Sequence, residues 1–296
     1  MASAQPTILR PTAAVFLLPF AALLVAMASV QYGAASAERL FPLVGAQGAT
    51  ALRLGLAAIM LVPLLRPWRA RLSLRALPVL IAYGASLGGM NLLFYMALRT
   101  VPLGIAVALE ITGPLVMAVV LSRRWIDAGW TGLAVAGLLL LLPLGHSGHP
   151  IDPVGALLAL GAGALWALYA IFGQRAGAQL GPSATALGIT IGAVLVAPFG
   201  LAHAGAALFT PSILLTAVVV AIFSSALPFS LEMIALTRLP TRVYGVLTSL
   251  EPAFGAGMGF VFLHERLAIV QVAAVAGIMA ASLGTAATMK PILPAD

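Results

Sequence analysis

The chain contains no cysteine, and only 8% of its 296 residues are charged. Without cysteine there is no disulfide framework, no thiolate metal site and no cysteine nucleophile. With so few charges there is too little polar surface for a soluble domain, where about 25% of residues are charged. Catalytic signatures are missing too: there is no HExxH, no phosphate-binding glycine loop and no serine nucleophile elbow. Without a nucleotide motif, active transport would have to draw on an ion or substrate gradient. Four histidines, His146, His149, His203 and His264, fall at loops or span ends. The expectation is therefore no enzyme, no cofactor and no metal.

What the chain has instead is apolar sequence, 62% of it. Stretches near the ~20 residues needed to cross a bilayer fall at 13–35, 42–65, 76–97, 101–121, 126–144, 153–173, 183–203, 211–234, 240–262 and 268–288. These ten spans make an all-α polytopic membrane protein. The first ends in Ala35-Ser36-Ala37, similar to a signal-peptidase site. It is about twice the ~7–15 residues of a signal h-region, so it reads as an uncleaved first helix. The net charge of +7 does not call for nucleic acid, because arginines beside spans orient a membrane protein.

Two proline-broken segments echo one another. Ala97–Pro114, ALRTVPLGIAVALEITGP, and Ala235–Pro252, ALTRLPTRVYGVLTSLEP, share Ala, Leu, Pro, Leu and Pro at a constant offset. Pro114 cannot donate to the Glu110 carbonyl, and Pro252 cannot donate to that of Thr248. Ala49–Pro63 echoes Ala184–Pro198, and Ala134–Gly137 echoes Ala274–Gly277, in the same order. The segment Gly145–Pro153, GHSGHPIDP, lies at the midpoint. It divides a first five-helix repeat, 1–147, from a second, 148–296. An odd number of spans per repeat inverts the second relative to the first, and duplicated broken helices point to a transporter's substrate site.

With the N-terminus in the cytoplasm, Arg10, Arg66, Arg69, Arg71, Arg75, Arg123, Arg124, Arg175, Arg238, Arg242 and Lys290 fall inside. Only Arg39, Arg99 and Arg266 fall outside. Both termini are therefore expected in the cytoplasm.

Candidate site residues are polar groups deep in spans. Arg53 is central in the second span, where an unpartnered guanidinium costs about 2.5 kcal/mol or more. Glu110 and Glu251 are central in the fourth and ninth, and Glu232 lies near one end of the eighth. Arg53 has two readings, an ion pair with one of these glutamates or contact with a substrate carboxylate. Its counterpart in the second half is Gly188, an asymmetry that suits an asymmetric ligand. Asn91, Tyr95, Trp166 and Tyr169 join Arg53 and Glu110 as expected lining of one central space. Glu110 could meet a substrate ammonium, carry a proton, or merely brace Arg53. Gln31, Ser224, Ser225 and Tyr244 are softer candidates. Glycine pairs Gly84/Gly88, Gly188/Gly192 and Gly255/Gly259 have the spacing that lets helices pack closely.

The run Leu250–Leu267, LEPAFGAGMGFVFLHERL, resembles the EP…LxExL signature of the drug/metabolite transporter superfamily, in its ten-helix, EamA-type branch. Blocks at 41–54, 86–114, 158–178 and 226–252 are similar to bacterial threonine/homoserine exporters, which share their fold with exporters of aromatic amino acids. The resemblance implies a basket of two inverted five-helix repeats, with helices 1–4 and 6–9 around a cavity and helices 5 and 10 outside it. It implies export of amino acids across a bacterial inner membrane, and the expectation is a monomer working by alternating access, with Glu110 as the candidate for proton coupling. Export of cationic drugs is the alternative, which Glu110 and aromatic walls would serve and Arg53 would oppose.

The absence of native cysteine gives a clean test of orientation. A cysteine placed at Ser147 should react with a membrane-impermeant maleimide from outside whole cells, and one at Ser73 should not. The reverse pattern would invert the topology.

Overall fold

The computed structural model describes residues 13–70, 73–121, 125–141, 151–239, 244 and 247–288. Among them there is no strand. Five stretches are long and apolar enough to cross a membrane: Leu18–Leu65, Leu77–Ala97, Pro153–Leu180, Ser183–Phe209 and Pro211–Arg238. The first folds as two helices, α1 (Ala13–Ala37) and α2 (Phe41–Leu65), joined by the tight turn Glu38–Leu40. Shorter apolar helices cover Leu103–Val116, Glu251–Leu263 and Ile269–Thr285. Large apolar side chains such as Ile59, Leu64, Leu157 and Leu215 face outward. That arrangement suits hydrocarbon surroundings, where backbone polar groups must be satisfied within helices. The protein is an all-α polytopic membrane protein.

Prolines and glycines set the helix ends. Helix α3 (Leu77–Ala97) starts with Pro78 in its first turn, where the missing N–H is no loss. Helix α4 (Leu103–Glu110) stops at Ile111, and α5 (Thr112–Leu121) resumes beyond it. The break lies where Pro114 removes the donor to the Glu110 carbonyl. The second proline-bearing segment breaks at the equivalent place: Ser249 and Leu250 form a turn before α11 (Glu251–Met258). Helix α6 spans Trp125–Leu141. The expected repeat boundary at 147/148, with His146 and His149, lies outside the described residues.

Helix α7 (Pro153–Leu180) runs past the expected end at residue 173. Polar Gln174 and Arg175 mark the edge of the apolar stretch but do not break a helix, and only Gly181, at φ 56°, does so. The Asp152 side chain caps its start, accepting from the backbone N–H groups of Val154 and Gly155. Helix α8 is Ser183–Ala204. The eighth span also outruns its expected end. Helix α9 (Pro211–Ala221) passes through a wide π turn, Ile222–Ala226, into α10 (Leu227–Arg238). Helix α12 is Ile269–Thr288.

Helices pair as α2 with α8, α3 with α7 and α8, α1 with α10, α4 with α11 and α6 with α12. Two of the glycine pairs face each other where α3 meets α8: a methyl at Gly88 would lie 2.8 Å from the Gly192 Cα, and one at Gly84 2.9 Å from the Gly188 carbonyl. The tightest of the glycine approaches is between the α4–α5 break and α7. There a methyl on Gly163 would overlap the Glu110 carbonyl oxygen, and one on Gly113 would overlap the Gly163 carbonyl. The break in α4 is thus pressed against α7 through two glycines.

Gly163→Ala should therefore lower the thermal midpoint of the protein in detergent, as overpacking by about 1–3 kcal/mol does. Gly257→Ala, where a methyl meets nothing within 4 Å, should leave it unchanged or slightly raised. Equal midpoints for the two variants would contradict the α4–α7 contact.

Candidate functional site

A cavity of about 60 Å³ lies between α1, α2, α3, α4, α7, α10 and the start of α11. Among the described residues, helices α6 and α12 contribute nothing to its wall. It has room for roughly four waters. Arg53, Asn91, Tyr95, Glu110 and Trp166 all line it, together with Glu232 and Glu251.

Arg53 is 1% exposed. Its Nη1 donates to the Ser224 carbonyl at 2.8 Å and to the Ser225 hydroxyl at 3.0 Å, and its Nη2 donates to the Asn91 amide oxygen. The Asn91 amide is itself oriented by donation to the Leu87 carbonyl at 2.7 Å. The guanidinium carbon sits 4.1 Å from the centre of the Tyr95 ring, a desolvated cation–π contact. The expected alternative of a glutamate partner is not what holds it: among the described residues no carboxylate forms an ion pair with Arg53, and neutral acceptors take its Nη protons. Among the described residues its Nε has no hydrogen-bond partner.

The Ser224 carbonyl is available for a physical reason. Residue 228, four positions on, is a proline and cannot donate to it. The helix widens into the π turn Ile222–Ala226 and turns that oxygen to Arg53. Pro228 was a legible signal for this acceptor, but the longer-range pairing with Arg53 was not.

The carboxylates divide by their surroundings. Glu232 accepts hydrogen bonds from the hydroxyls of Tyr169, at 3.1 Å, and Tyr244. Glu110 and Glu251 accept none from any described residue and face the cavity. Tyr169 departs from the expectation that it lines the same space as Trp166. It is fully buried behind the wall, stacked on Tyr83 with ring centres 5.3 Å apart. Three residues along a helix turn about 300°, an offset of about 60° that turns Trp166 to the cavity while the Tyr169 hydroxyl reaches Glu232 at the cavity wall from behind.

At the end of the bundle that carries the α1–α2 turn, Glu265 accepts from the Leu103 backbone N–H at 3.0 Å, capping the start of α4. Burial raises its carboxyl above the ordinary carboxylate range, and this hydrogen bond opposes the rise.

The sequence matches the EamA-like transporter family over residues 153–287. It is 54% identical over 273 residues to the threonine/homoserine exporter RhtA of Escherichia coli strain K12, covering 92% of both chains. The RhtA protein of Salmonella typhimurium strain LT2 is similar to the same extent. Transporter YwfM of Bacillus subtilis is 28% identical over 183 residues, 59% of this chain and 62% of its own. One solved crystal structure shares the fold with a TM-score of 0.60 at 21% identity, covering 94% of this chain and 97% of the other. With a shared fold and 54% identity to RhtA over 92% of both chains, the chain belongs to the EamA-like transporter family.

Proposed function

We propose that the protein exports small amino acids of the threonine or homoserine kind across the bacterial inner membrane by alternating access. The observation that carries this reading is the bipolar cavity. Arg53 brings a positive charge to the wall for a carboxylate, its Nε without a hydrogen-bond partner among the described residues, and Glu110 and Glu251 line the same space for an ammonium. A zwitterion needs both poles. The two relatives named above carry threonine/homoserine export in their names.

The chain works as a monomer of two inverted repeats, 1–147 and 148–296, with both termini cytoplasmic and no catalytic chemistry. Pairing of α3 with α7 and of α1 with α10, each joining the first span of one half to the third of the other, supports the repeat. So do the matching breaks at Ile111 and at Ser249–Leu250. Each break offers a place where one half-helix can tilt while the other stays packed, opening the cavity to one side at a time. Trp166 fills part of the wall, so the space suits threonine better than a phenylalanine. Three glutamates against one guanidinium on the wall favour a second reading, efflux of an organic cation.

Proteoliposomes loaded in parallel with threonine, phenylalanine or tetraphenylphosphonium separate these readings. Threonine flux should exceed that of empty vesicles, exceed phenylalanine flux about tenfold or more, and vanish in Arg53→Met. Trp166→Ala should narrow the gap between threonine and phenylalanine. Flux of tetraphenylphosphonium alone, indifferent to Arg53→Met, would establish the cation reading instead.

Glu110→Gln tests the second role of the carboxylate pole, because it keeps the shape of the side chain and removes its titration. If Glu110 couples transport to protons, stimulation by an imposed pH gradient should disappear while threonine exchange continues. If Glu110 holds the ammonium, exchange should fail as well. Survival of both would make Glu110 a brace.

A further inference from the structure

One cavity group is used by neither pole. Helix α1 turns a stripe toward the cavity, Leu23, Ala26, Met27, Val30, Gln31 and Ala34, at helical spacing. Five of the six are apolar. Gln31 is 4% exposed, and its side-chain oxygen, buried among the described residues, has no hydrogen-bond partner. An amide left this way lowers stability, so a protein that keeps one in an otherwise apolar stripe gains something when a ligand arrives.

Its position fits a ligand held by the two poles. Gln31 lies six residues, about 9 Å, from the end of α1 at Ala37. Asn91, which holds Arg53, lies six residues from the same end of α3, and Glu110 lies seven from the start of α4 at Leu103. The three groups thus share a layer of the bundle. Gln31 lines the same cavity as Arg53 and Glu110, and so shares one space with both poles.

We infer that Gln31 reads a hydroxyl group on the substrate side chain, making it the residue that selects hydroxy-amino acids over their aliphatic isosteres. An amide offers one acceptor and two donors on a single plane. A hydroxyl can donate to the oxygen and accept from the nitrogen of the same amide, whereas a methyl does neither. A substrate with its carboxylate on Arg53 and its ammonium on Glu110 or Glu251 extends its side chain toward the remaining wall. Valine has the shape of threonine with a methyl in place of the hydroxyl. Binding it would leave Gln31 buried and unpartnered, a defect that lets hydrogen-bonding sites reject such analogues by large factors.

This inference rests on the proposed amino-acid transport, and the experiment separates the two. Wild-type proteoliposomes are assayed for uptake of radiolabelled threonine and of valine at concentrations well below saturation. Wild type should prefer threonine by about a hundredfold, and Gln31→Met should reduce that ratio to less than about fivefold by losing threonine flux. No flux of either amino acid in wild type would sink the transport reading and this one together. Threonine flux with the preference intact in Gln31→Met would overturn the role of Gln31 alone. Should Gln31→Met not fold, judged by its thermal midpoint, competition on the wild type decides. Unlabelled valine must then compete with labelled threonine at least tenfold more weakly than unlabelled threonine does, and equal competition overturns the inference.

Discussion

A permanent positive charge buried in an apolar bundle is the constraint on which the rest of the site depends. Arginine does not escape burial by losing its proton, so the surroundings must supply acceptors for N–H groups that water no longer serves, and here they do so for Nη1 and Nη2. Arg53 obtains partners from two elements: α3, through the Asn91 amide and the Tyr95 ring face, and the α9–α10 π turn, through Ser224 and Ser225. Each of these contacts ties α2 to an element of the cavity wall. The guanidinium is thus a joint that organises the wall. Neutral partners have a consequence for function. A glutamate paired with Arg53 would cancel the charge a substrate carboxylate needs, whereas amide and carbonyl oxygens hold the cation and leave its charge unspent.

Prolines make those contacts possible by removing donors inside helices. Pro228 leaves the Ser224 carbonyl to Arg53, and Pro114 leaves that of Glu110, which packs against Gly163. In a bilayer neither oxygen has water to turn to. One finds a guanidinium, and the other lies at the close glycine contact between α4 and α7. The same substitution of residue type therefore has two outcomes, one polar and one steric, and both sit at the cavity.

The spans were legible because apolar runs of bilayer length have few alternative readings, and the breaks in the fourth and ninth followed from Pro114 and Pro252. Helix ends were less legible. Past residue 173 the sequence turns polar at Gln174 and Arg175, but polarity marks the end of an apolar run and not the end of a helix, which came only at Gly181. In the site, Arg53, Asn91, Tyr95, Glu110 and Trp166 could be picked out as polar or aromatic groups too deep for the surface. Tyr169 met the same criterion and yet lies behind the wall, because depth along a helix does not say which way a side chain turns. The clustering of Glu232 with Tyr169 and Tyr244 depends on helix packing across the chain, which no local pattern encodes.

The asymmetry at Arg53 takes on a physical meaning beside that tyrosine cluster. Its counterpart in the sequence echo is Gly188, where a methyl would overlap the Tyr83 ring. Tyr83 stacks on Tyr169, whose hydroxyl holds Glu232. Where one half of the chain carries a cation, the other makes room for an aromatic stack that supports an anion. A cavity built alike from both halves would present the same charge to both ends of its ligand. The departure from the echo at Arg53 and Gly188 puts a guanidinium on one side of the bundle and, through Tyr83 and Tyr169, a braced carboxylate on the other.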